Sequence, residues 1–341
     1  GLIEAAMFGL GDVGRAVVVA RQLQAVAPES QVANLALLID MMQREKYDEV
    51  IADLEAGMPV MPLVNGLALA WAEVGRGQMN AALAAFDEIA ATDGLQNFGL
   101  YHKGLALAAV GDFEGSDAIF QGDETPLRLD QRGIEARLAL LSQHGRNDDA
   151  LQLIAAGYGE TPVPVIAALK TRLEAGETLP FTNVRDAREG MAEVFYMVSS
   201  VLSSEASPVY SLLFSRAAEH LNPNHVDAML LSAEFLDELE QYDLATQTYD
   251  RVPREHPAFY SAELGRADAL RRGGNGERAI EVLEQLAESH GQLPQVWNAL
   301  GDVQRQEMNY GAAARAYEAA IALFDDTDNI SWRLFYVRGI A

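Results

Sequence analysis

The stretch PQVWNALGDVQRQEMNYGAAARAYEAAIALFDDT, Pro294 to Thr327, decides the fold. Trp297, Leu300, Gly301 and Gln304 recur at helical spacing on one face of a first helix, and Ala313, Tyr317 and Ala320 on one face of a second. Small residues fall where the two helices touch, and large ones fill the gap to a neighbouring unit. One such hairpin leaves its apolar faces bare, so it has to stack on copies of itself.

The rest of the chain supplies the copies. The small residue of each second helix recurs at Ala16, Val50, Ala82, Ser116, Ala150, Ser211, Ala245, Ala279 and Ala313, in steps of 34, 32, 34, 34, 61, 34, 34 and 34. Turns between helices carry Gly11-Asp12, Gly111-Asp112 and Gly145-Arg146, where glycine accepts the left-handed conformation that ends a helix. Pro28, Pro223 and Pro257 share one late position of their units, where a proline stops one helix and tolerates the next. The 61-residue step contains Thr161-Pro162-Val163-Pro164, which cannot be helix interior, then a helix over Val165–Glu174 and a loop over Gly176–Asn183. A kink or an in-line degenerate repeat both fit this stretch.

The bulky residue, the Leu300-Gly301 pair and the later Ala313, Tyr317, Ala320 set resemble the signature of the tetratricopeptide (TPR) repeat. The resemblance implies an all-α, right-handed superhelical solenoid of about eight to nine helix-turn-helix repeats. Its expected parts are an N-terminal sub-array over 1–160 with a truncated first repeat, an irregular segment over 161–191, a sub-array of four repeats over 192–327, and the start of another repeat over 328–341. Leu2–Phe8 is short for a first helix and Trp332–Ala341 resembles one without its partner, so both ends read as uncapped. The chain also resembles long TPR proteins of Gram-negative, especially alphaproteobacterial, genomes; that resemblance suggests a periplasmic or membrane-associated place.

Composition narrows the function. The 341 residues are 49% hydrophobic and carry a net charge of −25. Lys and Arg number 10 against 23 Asp and Glu in residues 1–160, and 15 against 27 in residues 161–341, so the acid is spread evenly. Nucleic acid and anionic lipid are poor partners for such a surface. There are no cysteines, hence no disulfides or thiolate metal sites, and no apolar run long enough for membrane insertion. Gly9-Leu10-Gly11-Asp12-Val13-Gly14 matches G-x-G-x-x-G, but helical flanks make it a turn, not a dinucleotide site. Arg272-Gly273-Gly274-Asn275-Gly276 lacks the Gly-Lys-Ser/Thr of a P-loop and reads as a turn. The six histidines form no His-x-x-x-His pair, and Asp325–Asn329 lacks the glycine and distal glutamate of an EF-hand. No cofactor and no catalytic constellation is expected, so the chain reads as a non-enzyme.

In TPR arrays the first helices line a concave groove. Carried over, the register gives an apolar N-terminal lining that includes Leu35, Ile39, Met42, Leu67, Trp71, Phe98, Tyr101 and Leu105. It gives a polar C-terminal lining that includes Glu234, Asp268, Arg271, Arg272, Asn298, Asp302 and Arg305. The apolar lining either receives a peptide or helical segment or is buried against the array's own turns. Family members that bind chaperone C-termini hold the carboxylate with Asn and Lys; Asn298 matches one position, and the matching lysines are missing. The acid-rich C-terminal groove suits a basic segment. The expected function is a non-catalytic protein-binding scaffold, with self-association through uncapped ends as the alternative.

Overall fold

The computed structural model describes residues 11–122, 127–159, 162–203 and 206–324, with 336, 338 and 339 near the C-terminus. All eighteen elements of the described residues are α-helices: α1 (Val13–Gln24), α2 (Gln31–Gln43), α3 (Tyr47–Glu55), α4 (Pro62–Gly75), α5 (Met79–Ala90), α6 (Gln96–Ala109), α7 (Phe113–Gln121), α8 (Gln131–Gln143) and α9 (Asn147–Tyr158), followed by α10 (Pro164–Glu174), α11 (Ala187–Leu202), α12 (Pro208–Leu221), α13 (Val226–Glu238), α14 (Tyr242–Tyr249), α15 (Phe259–Arg272), α16 (Gly276–His290), α17 (Pro294–Gln306) and α18 (Tyr310–Ala322). Consecutive helices pack as hairpins α2–α3, α4–α5, α6–α7, α8–α9, α11–α12, α15–α16 and α17–α18. Helices α13 and α14 hold the equivalent places in the order. No helix of the described residues is long and apolar enough to cross a membrane. Residues Leu2–Phe8, Asp325–Asn329 and most of 328–341 lie outside the described residues, as do the expectations placed on them.

The small-residue rhythm has a uniform structural meaning. Each of its nine positions is the fourth residue of a second helix, and each is 0% exposed. The helices touch closely there. A methyl group added at Gly301 would stand 2.5 Å from the Tyr317 ring, and one at Gly104 2.6 Å from the Phe120 ring, so only hydrogen fits. At Ser116 the hydroxyl donates to the Gly104 carbonyl at 2.8 Å and so stays satisfied in the core, whereas the Ser211 hydroxyl is buried with no partner among the described residues.

Seven hairpins share one three-residue turn. Its middle residue has positive φ: Glu45, Gly77, Gly111, Gly145, Glu240, Gly274 and Met308. The next N–H then reaches back to a carbonyl five residues earlier, as Lys46 does to Met41 (2.9 Å) and Asn309 to Gln304 (2.8 Å). That bond satisfies a carbonyl the helix end leaves open. The 272–276 segment is a turn of this kind; Gly11 also has positive φ, at 82°, and Asp12 caps α1 by accepting the Arg15 N–H at 3.0 Å.

The chain divides into two compact units, Gly1–Ala228 and Met229–Ala341, with the boundary inside α13. The expected joint over 161–191 is not where the division falls. Helix α10 and the loop after it occupy that stretch, and α11 begins at Ala187, where Asp186 accepts the Glu189 N–H at 2.8 Å and caps it ahead of the expected start at 192.

In the first unit α11 does not extend the row of hairpins. It lies across the first helices, chiefly α4 and also α6 and α2, while α12 packs on α2. A single core therefore runs from Val13 to Ala228, with a smaller cluster around Leu138, Ile154, Ile166 and Leu179 where α8, α9 and α10 meet. In the second unit, Leu270, Leu283, Leu286, Val296, Leu300 and Val303 form one core cluster, and Ala313, Tyr317 and Ala320 form another.

Candidate functional site

The apolar N-terminal lining is not an open groove. Leu35, Ile39, Met42, Leu67, Trp71 and Leu105 are all buried in the core that includes α11 and α12. Gly190 of α11 rests directly on the Trp71 indole, with no room for a Cβ. Re-exposing even half of the apolar surface of these six side chains costs about 5–9 kcal/mol. That approaches the whole stability of an ordinary domain, about 5–15 kcal/mol. The hairpin over them is a permanent part of the unit, and of the two readings left open for these residues the burial is the one observed. Phe98 and Tyr101 differ: they line a cavity of about 210 Å³ at the edge of the fold-back, between α6 and α11.

Buried polar groups hold this arrangement. The Trp71 indole N–H donates to Nδ1 of His102 at 3.2 Å, which requires the proton of a neutral imidazole on Nε2. Burial lowers the His102 pKa to about 4, so the ring is neutral at pH 7, and its Nε2 is buried without a hydrogen-bond partner among the described residues. Arg132 of α8 donates through Nε to Glu193 of α11 at 2.9 Å, pairs a second time with the same carboxylate, and reaches Asp227 of α13 at 2.7 Å. His225 stands 3.3 Å from Glu193. Burial alone would raise the Glu193 pKa; the Arg132 guanidinium and His225 overcome it and hold it at about 2. Glu135 has the opposite fate: burial, aided by Asp227 and Glu193 and opposed by Arg132, pushes it to about 7. Sequence reasoning missed this cluster, because its members come from unlike repeat positions and share no register; the 61-residue step was the only mark that the chain departs from its row.

The polar C-terminal residues do come together. Asp268, Arg271, Asn298, Asp302 and Arg305 line one open cavity of about 550 Å³ between α15 and α17. Leu264, Ala267, Leu283 and Val303 give it an apolar floor. Within it, Arg271 donates to Asp268 at 2.6 Å and to the Gln306 side-chain carbonyl at 2.9 Å. The Tyr317 hydroxyl donates to Asp302 at 2.8 Å; burial and that carboxylate raise its pKa to about 12. Asn298 makes no side-chain hydrogen bond among the described residues. Arg272 lies outside the cavity, paired with Asp237 and stacked over the Tyr242 ring at 5.1 Å. Glu234 is exposed on α13 and is not part of the lining.

Two tetratricopeptide repeat models match the chain, over residues 227–258 and 264–328. No curated protein matches it. Among solved structures, a complex of Naa15/Naa10 bound to HypK-THB is 16% identical, with a TM-score of 0.35, over 95% of this chain and 52% of that one, so the chain spans about half that relative's length. A tetratricopeptide repeat protein from Parabacteroides merdae is 16% identical, with a TM-score of 0.35, over 86% of this chain and 98% of that one. Yeast Tom70 is 12% identical, with a TM-score of 0.35, over 90% and 82%. Scores at that level are too low for whole-chain superposition to say more. Residues 227–258 and 264–328 are thus tetratricopeptide repeats.

Proposed function

We propose that the chain is a non-catalytic protein-interaction scaffold that holds a basic protein segment on the first-helix face of residues 229–324. The observation that carries this is the convergence of Asp268, Arg271, Asn298, Asp302 and Arg305 on one open cavity of about 550 Å³. The volume suits a side chain with part of its backbone. The charges in the lining balance, Asp268 and Asp302 against Arg271 and Arg305; the acid that favours a basic segment is that of the chain as a whole, 50 Asp and Glu against 25 Lys and Arg. Unspent groups such as the Asn298 amide leave hydrogen bonds for a segment's main chain, worth about 0.5–1.5 kcal/mol each.

A peptide array probed with the full chain tests it, followed by calorimetry on the hits. Lys- and Arg-containing peptides should bind, and Asp268→Asn combined with Asn298→Ala should weaken them at least tenfold while the melting temperature holds. Hits that are acidic, or affinities unmoved by the double substitution, would falsify the assignment. A second reading, self-association, draws on Met308 and Tyr310, both exposed at the turn between α17 and α18. Light scattering separates the two: a monomer at high concentration removes the second.

A further inference from the structure

We propose that the cavity at the seam of α6 and α11 is a separate recognition site, shaped for one phenyl-sized side chain of a protein segment. It belongs wholly to the first unit and does not depend on the cavity between α15 and α17. Its volume is about 210 Å³. An apolar cavity of roughly 150 Å³ already accepts a benzene ring. Phe98, Leu129, Met197 and Val201 supply apolar walls, and aromatic and thioether walls favour an aromatic guest.

Tyr101 makes the cavity more than a gap in packing. It is 8% exposed and lines the cavity, yet its hydroxyl makes no hydrogen bond with the described residues. The hydroxyl is not among the buried atoms left without a partner, so it reaches solvent in the cavity, where an incoming acceptor takes the place of water. Burial, Glu193 and Asp130 raise its pKa, so the oxygen keeps its proton and acts as a donor. The missing partner is an acceptor, which the main-chain carbonyl beside an inserted side chain supplies. The wall at 128 is fixed, because the Asn97 amide accepts the Arg128 N–H at 2.9 Å and donates to the Arg128 carbonyl at 3.2 Å. Arg128 and Asp130 stand at the rim with opposite charges, which selects no charge in the guest. Val201 is 48% exposed at the mouth, so a guest that covers it gains apolar burial.

The test uses the full chain with methyl-labelled methionine, and N-acetyl-phenylalanine methylamide as the probe. The Met197 methyl signal, assigned with Met197→Leu, should shift saturably as the phenyl ring arrives, and N-acetyl-alanine methylamide should leave it in place. Val201→Glu, at a half-exposed position that does not threaten folding, should weaken the probe at least tenfold. Tyr101→Phe should weaken it about threefold and leave the melting temperature unchanged or higher. The proposal is overturned by a Met197 signal that ignores the phenyl probe, by equal shifts with the alanine probe, or by full affinity in Val201→Glu.

Discussion

Met308, Glu240 and Glu45 hold φ values of 60°, 59° and 56° in turns where Gly77, Gly111, Gly145 and Gly274 hold φ between 70° and 86°. A side chain in the left-handed region crowds the neighbouring carbonyl at about 1–2 kcal/mol. Glycine escapes that cost and gives part of it back through its freer unfolded chain. Met308→Gly should therefore raise stability by about 0.5–1 kcal/mol. Urea unfolding measures it, and an unchanged midpoint would refute it. The same substitution removes an exposed methionine, so light scattering on this variant also bears on self-association.

At the scale of elements, the fold-back of α11 and α12 is the decisive event. Gly190 admits Trp71, and Arg132 fastens α11 and Asp227 to α8. Arg132→Ala leaves the buried Glu193 and the half-buried Asp227 without their cation, a loss of about 3–5 kcal/mol. Amide exchange should then quicken together in α4 and α11, because they share one core; quickening confined to α8 would mean that Arg132 serves its own helix alone. The register of helices was legible before any coordinates, because the same position recurs at nine places and six of the eight steps between them are 34 residues. Asp268 and Asp302 were legible as neighbours for the same reason, being one period apart on one face, whereas Glu234 and Arg272, taken from the same register, stand outside the cavity. The fold-back was not. Contact between 62–75 and 187–202 leaves no trace in spacing, and an apolar face that meets solvent reads the same as one that meets another helix. Leu67 and Trp71 thus looked like a groove when they are the core.

For the molecule as a whole, the buried titratable groups set how stability follows pH. His102 has its folded pKa depressed from 6.5 to about 4, so its contribution is complete above 6.5 and is lost as pH falls toward 4. Glu193, depressed from 4.5 to about 2, contributes above 4.5 and loses that contribution as pH falls to 2. Glu135, raised from 4.5 to about 7, works in the other direction: its contribution is complete below 4.5 and fades as pH rises through 7. Between pH 6.5 and 4.5 the loss at His102 and the gain at Glu135 offset each other, so the urea midpoint should hold there and fall below pH 4.5, where Glu193 and His102 both lose their contributions. Glu135→Gln should raise it at pH 8 by the equivalent of about 1–3 kcal/mol and leave it nearly unmoved at pH 4. A gain of equal size at both pH values would place the effect in packing and not in ionisation.

The distance along the chain between Trp71 and the Gly190 that covers it has a consequence for biosynthesis. A ribosome adding roughly 5–20 residues per second needs roughly 6–24 s to travel from one to the other. Throughout that interval the newborn chain carries a bare indole and its leucine neighbours, and the hairpin that will shield them has yet to be translated.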